Sequence, residues 1–230
     1  MRHDVHVFVR SKRHSTSMST PCPSVENRPS PVAGRGLFAS SFVGKGSVIL
    51  TELPLCSVDK RGAGPFPTAV WKLAHDVMKD PHLAACTEEY TPATPEELKW
   101  DADDDRALRL ASRGLEVDMD AVRVVYARMV SVNMNATDGS TGFYRSGGFL
   151  NHSCRPNALC TYSGKRLDLV ALKDIEAGSE ITINYVGITV LDIDSSGEQN
   201  PAMFPLDVYR SIIERQFGFA CKCAAHPYAS

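Results

Sequence analysis

The sequence has no long hydrophobic run and almost no excess of charge of one sign. Its apolar stretches fall far short of the ~20 residues that cross a membrane, so no membrane-spanning helix is predicted. The 25 basic and 27 acidic side chains give a formal net charge of −2, which argues against nucleic-acid binding through bulk charge. Seven unevenly spaced cysteines argue against a secreted disulfide framework and indicate a reducing compartment.

Residues 1–30 have the composition of a disordered tail. Basic residues and a Ser/Thr/Pro-rich stretch dominate them, and such a segment buries too little apolar surface to offset its ordering entropy. An organelle transit peptide is the alternative, although the helical amphipathicity is poor. The apolar run Val5–Val9 is too short for the core of a secretory signal.

Hydrophobic periodicity predicts strands towards both ends of the chain and helices between them. The strands are expected within residues 37–58, 159–172 and 181–186. Helices are expected to start near Thr68, Thr94 and Asp118, and a last helix to span residues 205–217. Strands, a helical insert, further strands and a final helix indicate an α+β fold and not an alternating βαβ series.

The segment Gly34–Ala39 matches the G-x-G-x-x-A string of dinucleotide-binding proteins. That fingerprint requires a buried strand before it and a helix N-terminus after it, because the helix end holds the pyrophosphate. Here a proline-rich stretch precedes the glycines and strand-like residues follow, so the fingerprint does not apply. A turn, or a close approach of the backbone to another group, explains the glycine pair.

The densest polar cluster is the run Asn151–Asn157, which lies between apolar residues. One interpretation is that His152 and Cys154 form the nucleophilic pair of a cysteine hydrolase, although such pairs normally meet from distant parts of a sequence. The other is a polar turn whose side chains need partners in the interior.

Three more potential ligands lie near the last residue: Cys221, Cys223 and His226. Zinc takes four tetrahedral ligands from thiolates and imidazoles, and Cys154 is the natural candidate for the fourth. Two buried thiols and a surface histidine are the plainer alternative.

Four segments, in this order, resemble the SET-domain family of protein lysine methyltransferases and look most like its SET-and-MYND branch. They are Gly34–Phe38, Phe149–Asn157, Ile175–Tyr185 and Cys221–Cys223. The resemblance implies a SET-type fold of several small sheets, and an S-adenosylmethionine site joined to a lysine channel by a narrow pore. It divides the chain into a tail at 1–30, a SET domain at 31–216 with a helical insert at about 66–132, and a zinc-binding post-SET tail at 217–230.

The resemblance also implies roles for individual residues. Tyr185 is similar to the catalytic tyrosine of the family. The implied cofactor site consists of Gly34, Arg35, Gly36, Asn133, Asn151, His152, Tyr185 and Phe219. The implied lysine channel is walled by Tyr144 and Phe217, and the implied structural zinc is held by Cys154, Cys221, Cys223 and His226.

The implied activity is methyl transfer from S-adenosylmethionine to the ε-amine of a lysine in a histone or non-histone protein. A monomer in the nucleus or cytoplasm is expected, with no direct binding of nucleic acid or membrane. The alternative is a catalytically silent SET module that acts in protein binding.

The sequence departs from the family pattern at three places. His226 stands where a cysteine is usual, and Asn184 where an acidic residue is common. Between Leu50 and Gly142 only Cys56 and Cys86 occur, too few for a MYND zinc module, and the helical repeat region of that branch is not expected either.

Overall fold

The computed structural model describes residues 25–32, 34–60, 68–90, 106, 123–126, 128–129, 133–135, 138–186, 206–217 and 219–221. The strands in these ranges are β1 (Val25–Pro29), β2 (Arg35–Ala39), β3 (Val48–Glu52), β4 (Cys56–Asp59), β5 (Asn133–Asn135), β6 (Ser140–Phe143), β7 (Asn151–His152), β8 (Ala158–Ser163), β9 (Arg166–Ala171) and β10 (Glu180–Ile183). The helices are α1 (Thr68–Lys79), α2 (Pro81–Thr87) and α3 (Leu206–Phe217), and a short 3₁₀ helix spans Gly147–Phe149.

The strands form three small sheets, as a SET-type α+β fold requires. Their orders are β1-β2-β10-β7, β3-β9-β8 and β4-β6-β5. Neighbouring strands run antiparallel except β7 and β10, which are parallel. Since β7 and β10 are far apart in sequence, this pairing brings the polar run at 151–157 beside the segment that ends at Tyr185.

The predicted hairpin at residues 159–172 is confirmed as β8 and β9, which meet at a turn through Gly164 with φ of 61°. In β10 the side chains alternate between half-buried and buried, with Ile181 and Ile183 facing the core. This is the pattern that period-two hydrophobicity predicts for a strand buried on one face.

The helix predicted from Thr68 is confirmed and packs its apolar side against the sheets. Trp71, Ala74 and Val77 are buried in the main core, and the ring of Trp71 stacks on Tyr126 with centroids 3.5 Å apart. Pro81 follows this helix and begins α2. Asp80 caps that second helix by accepting from the backbone N–H groups of His82 and Leu83.

The folded chain begins earlier than composition indicates. Residues 25–29, assigned to the tail, form the edge strand β1, which pairs along its whole length with β2. Val25 packs against the core, and Pro29 is tolerated because β1 has only one neighbour. Residues 1–24, and the predicted helix starts at Thr94 and Asp118, lie outside the described residues.

Within residues 37–58, where strands are expected, Val43 forms only a single bridge, with Ile175, and the Phe42 side chain is exposed. The segment from Gly44 to Ser47 turns the chain between β2 and β3, which belong to different sheets. Among the described helices, none is both long and apolar enough to span a membrane.

A buried carboxylate anchors the segment that leads to β7. Glu52, at the end of β3, accepts hydrogen bonds from the backbone N–H groups of Ser146 and Gly147 at 3.0 and 3.1 Å. These amides lie at the start of the 3₁₀ helix, where N–H groups lack partners within the helix. Burial raises the pKa of Glu52, and the hydrogen bonds from the backbone oppose that shift.

Replacing Glu52 by alanine is expected to lower the free energy of unfolding by about 2–4 kcal/mol, because a buried and a half-buried N–H group lose their acceptor. Denaturation in urea measures the change. The matched control is Glu88→Ala at an exposed position, which should change stability by less than about 0.5 kcal/mol. Equal effects of the two substitutions would contradict the anchoring role.

The same carboxylate predicts a pH dependence. The folded-state pKa of Glu52 is raised above its ordinary value of 4.5, so its stabilising contribution is complete below the unfolded-state pKa and declines as the pH rises through the folded-state pKa. Relative to Glu52→Gln, whose amide does not titrate, the wild type should lose free energy of unfolding as the pH rises above the ordinary carboxyl pKa of 4.5. A difference that grows with pH would show the opposite sign of shift.

Candidate active site and metal centre

Three strands of one sheet place the first part of the site. Strand β10 lies between β2 and β7, so that Glu180 on β10 reaches Gly36 on one side and Asn151 on the other. The Asn151 Nδ2 donates to Glu180 Oε1 at 2.6 Å and to the backbone carbonyl of Arg35 at 3.1 Å. Gly34 precedes β2 with a φ of 49°, in the left-handed region that favours glycine.

The predicted cofactor residues Gly34, Arg35, Gly36 and Asn151 therefore lie together at one end of this sheet. The Arg35 side chain is exposed and turns away from Asn151, since its guanidinium donates to Asn27 on the edge strand at 3.0 and 3.1 Å. Its backbone carbonyl, and not its charge, contributes to the cluster.

Tyr185 follows β10 and is held at both its backbone and its hydroxyl. The hydroxyl donates to the carbonyl of Leu150 at 2.7 Å, and the backbone N–H donates to Nδ1 of His152 at 3.2 Å. Burial, followed by the negative charges of Glu180 and Cys160, raises the pKa of Tyr185. The hydroxyl consequently keeps its proton at neutral pH, and its oxygen can still accept a hydrogen bond.

Three rings gather around this position. The centroids of Tyr185 and His152 are 5.3 Å apart, and Phe219 lies 6.3 Å from His152 and 6.4 Å from Tyr185 in edge-to-face geometry. Phe219 is 40% exposed, so part of its ring remains available to a ligand. Aromatic faces of this kind suit flat or cationic groups.

Two thiols meet beside the rings. The sulfur atoms of Cys154 and Cys221, 67 residues apart, lie 3.7 Å from each other, and both side chains are buried. A disulfide would need about 2.0 Å. Two thiolates on one tetrahedral zinc, with Zn–S bonds of about 2.3 Å, are separated by about 3.8 Å, so this pair fits a metal edge.

His152 completes a group of three with the two cysteines, all ligand atoms lying within 4.8 Å of one another. Its ring is nevertheless oriented as a donor to Cys154. Because Nδ1 accepts from the Tyr185 N–H, the hydrogen of the neutral ring is on Nε2, which lies 3.3 Å from Cys154 Sγ. A ligating histidine needs the reverse arrangement, with the second nitrogen donating to an acceptor.

The hydrolase interpretation fails on access and not on distance. His152 and Cys154 do meet, contrary to the expectation for residues two positions apart, but Cys154 has no exposed surface. A nucleophilic thiol must be reachable by its substrate. The contact between them instead orders the interior of the polar run.

The remaining predicted site residues are placed less directly. Tyr144 is fully buried and its hydroxyl donates to the carbonyl of Lys165 at 2.6 Å, so nothing in its surroundings supports a channel wall, and that role stays a prediction. Asn133 lies in β5 opposite Phe143, and Phe217 is the last residue of α3. Cys223 and His226 lie outside the described residues.

The sequence interpretation missed two residues that organise the site. Asn157 clamps β10, accepting from the Thr182 N–H and donating to the Glu180 carbonyl, both at 2.8 Å. Glu180, which received no role, binds Asn151. Both stand within the motifs quoted above, but only the strand order shows what they contact. Asn184 is buried and accepts from the Val186 N–H at 2.9 Å, while its Nδ2 has no acceptor among the described residues.

The chain is similar in sequence to several known proteins. Histone-lysine N-methyltransferase SMYD3 of Mus musculus and of Homo sapiens are each 32% identical over 101 residues, 44% of this chain and 20% of theirs. The matched part thus spans only a fifth of the length of those relatives. A SET domain-containing protein of Acanthamoeba polyphaga mimivirus, L678, is 21% identical over 200 residues, 83% of this chain and 72% of its own.

The sequence profile of the SET domain matches residues 34–186. That span contains the glycine turn before β2, the polar run on β7 and the tyrosine after β10, and it extends over more than half of the chain. On this ground the chain belongs to the SET-domain family.

Proposed function

We propose that this protein transfers a methyl group from S-adenosylmethionine to the ε-amine of a lysine in a protein substrate. The observation that carries the proposal is that three parts of the chain converge. Asn151 lies beside Gly36, and the Tyr185 hydroxyl donates to the Leu150 carbonyl. Phe219 packs edge-to-face with the rings of His152 and Tyr185. Several relatives named as lysine methyltransferases support the proposal, among them SMYD3 and SMYD2-B of Danio rerio.

The residues at the start of β2 and on β7 fit the amino-acid part of the cofactor. Gly36 has no side chain and lets Asn151 lie close to β2, since an added Cβ would be 3.2 Å from Asn151 Nδ2. Asn151 supplies an amide, and backbone groups of Arg35 and His152 are near. The side chain of His152 is engaged with Tyr185 and Cys154, so its contribution to cofactor binding is restricted to its backbone. When bound, S-adenosylmethionine supplies the electrophilic methyl group.

Tyr185 fits the task of orienting the amine. Its hydroxyl donates to the Leu150 carbonyl, and the remaining lone pairs can accept from an amine N–H. The amine must be neutral to react, against an ordinary pKa near ~10.4, and burial in an aromatic site lowers the pKa of a lysine. Position and orientation supply most of the acceleration of such a displacement. The hydrogen bonds of the Tyr185 backbone N–H and hydroxyl hold its oxygen in place and so serve this purpose.

Zinc is proposed as a structural metal. Cys154 and Cys221 fit two ligand positions, Cys223 and His226 are the proposed others, and His152 is better suited to donate to the Cys154 thiolate than to bind the metal. The metal would tie the polar run to the residues that follow α3. Phe219, two residues before Cys221, would then be held against Tyr185 and His152.

The substrate is proposed to be a histone or non-histone protein, methylated by a monomer that acts in the nucleus or cytoplasm. The two SMYD3 relatives are named as histone-lysine methyltransferases, whereas SMYD2-B is named as an N-lysine methyltransferase. A panel of histone and non-histone proteins incubated with methyl-labelled S-adenosylmethionine tests the activity and the substrate class together. Cofactor binding without incorporation into any lysine would favour the silent binding module.

Tyr185→Phe removes the oriented oxygen and is expected to lower turnover by about 100-fold, while cofactor affinity changes little. Labelled methyl incorporation gives the turnover and calorimetric titration gives the affinity. Tyr126→Phe is the matched control, since Tyr126 is a core residue whose ring stacks on Trp71 of α1. If Tyr185→Phe methylates as fast as the wild type, the tyrosine does not orient the amine.

Metal analysis of the purified protein should find one zinc per chain, and Cys154→Ser should bind it at least about tenfold more weakly. The control Cys160→Ser should keep the metal, since Cys160 lies on β8 outside the group of three. Alkylation adds a second measurement: Cys154 should resist the reagent until a chelator removes the zinc. Rapid alkylation of Cys154 in folded, untreated protein would refute the metal site.

A further inference from the structure

The carboxylate of Glu180 occupies the centre of the sheet that holds the proposed cofactor residues. Its Oε1 accepts from Asn151 Nδ2 at 2.6 Å and its Oε2 accepts from the Ser30 hydroxyl at 3.0 Å. Both oxygens are thus fixed by partners on different segments. Glu180 pairs with Phe38 in the register of β10 and β2, so Gly36, two residues along β2, lies on the same face as its side chain.

The contacts of Asn151 define which way its amide points. The two partners of Nδ2, the Arg35 carbonyl and the Glu180 carboxylate, can only accept hydrogen bonds. The amide nitrogen therefore has to face them, and Oδ1 has to lie on the opposite side of the group. A rotated amide would set two pairs of acceptors against each other at hydrogen-bonding distance, which is strongly unfavourable.

Gly36 is required by this carboxylate and not by its own backbone. It lies within β2, and its φ is not among the positive values, so its backbone suits any residue. A Cβ at this position would lie 2.3 Å from Glu180 Oε1 and 3.0 Å from its carboxyl carbon. Any side chain at residue 36 therefore displaces the carboxylate from Asn151.

We propose that Glu180 is a positioning residue for the cofactor. Its carboxylate fixes the Asn151 amide so that the amide oxygen is directed at the α-ammonium group of S-adenosylmethionine. Gly36 gives this carboxylate the room that it needs. The inference rests on the proposed function. An acceptor oxygen recognises an ammonium group, whereas the NH₂ side of the amide would repel it. The charge of Glu180 favours a nearby cation further, and it also contributes to the raised pKa of Tyr185.

The test compares the affinity of purified full-length variants for two ligands, S-adenosylmethionine and 5′-methylthioadenosine, which lacks the amino-acid end. Glu180→Ala and Gly36→Ala should each bind S-adenosylmethionine about tenfold or more weakly, since a charge-assisted hydrogen bond is lost. Both should bind 5′-methylthioadenosine as the wild type does. Glu180→Gln keeps an oxygen for Asn151 and should lose no more than about threefold.

Gly44→Ala is the matched control for Gly36→Ala. An added Cβ at residue 44 meets its nearest atoms at 3.8 and 3.9 Å, which is ordinary contact, so its affinities should equal those of the wild type. Thermal melts of all variants show whether each is folded. Gly36→Ala, which displaces the carboxylate without removing it, keeps the inference testable if Glu180→Ala does not fold.

Four results would overturn the inference or part of it. If Glu180→Ala is folded and binds S-adenosylmethionine with wild-type affinity, Glu180 has no positioning role. If Gly36→Ala behaves like Gly44→Ala, the glycine is not needed to make room for the carboxylate. An equal loss for both ligands would indicate a general structural defect. A wild-type protein that binds neither ligand would instead refute the proposed function, and the positioning role with it.

Discussion

The parallel pairing of β7 with β10 is the constraint on which the site depends. It sets Asn151 opposite Thr182 and His152 opposite Ile183, and so joins two segments separated by about thirty residues of hairpin and turn. A two-strand parallel contact this short has little stability of its own. Asn157 supplements it through two side-chain hydrogen bonds to the β10 backbone, and the imidazole of His152 supplements it through the Tyr185 amide.

Because of that pairing, the polar side chains of residues 151–157 contact different parts of the site. Asn151 faces β2 and Glu180, His152 faces Tyr185 and Cys154, and Asn157 faces the backbone of β10. Each is half-buried or buried, and each has hydrogen-bonding partners there, which is the condition for keeping such groups in an interior. The run is therefore an organised junction between a ligand site and a cysteine pair, and not a solvated turn.

Much of this could be predicted from the sequence, because local patterns carry it. Hydrophobic periodicity predicts the hairpin β8–β9, helix α1, which begins at Thr68, and helix α3, which ends at Phe217. The order of the motifs indicates the SET domain. Contacts between distant segments could not be predicted in the same way. Glu180 and Asn157 are unremarkable residues of a strand and a turn until the strand order sets β10 between β2 and β7.

The errors have physical causes as well. Residues 25–29 look like tail because one valine among polar residues gives no periodicity, yet β2 offers them a free edge to pair with. Catalytic pairs rarely lie two residues apart, which argues against a contact between His152 and Cys154. The two side chains nevertheless meet, because a two-residue strand followed by a turn brings them together.

The contact between Cys154 and Cys221 closes a loop of 67 residues. A cross-link that closes a loop of that length restricts the unfolded chain by about 4 kcal/mol in the chain-entropy account. A small cluster in which Ile213 of α3 packs with these two cysteines, with Tyr185 and Val186 against it, is all the apolar packing that the described residues show at this junction. If the proposed zinc supplies that cross-link, the contact of Phe219 with Tyr185 and His152 would depend on how much metal is available, so a cell short of zinc would hold this protein with that side of its binding site open.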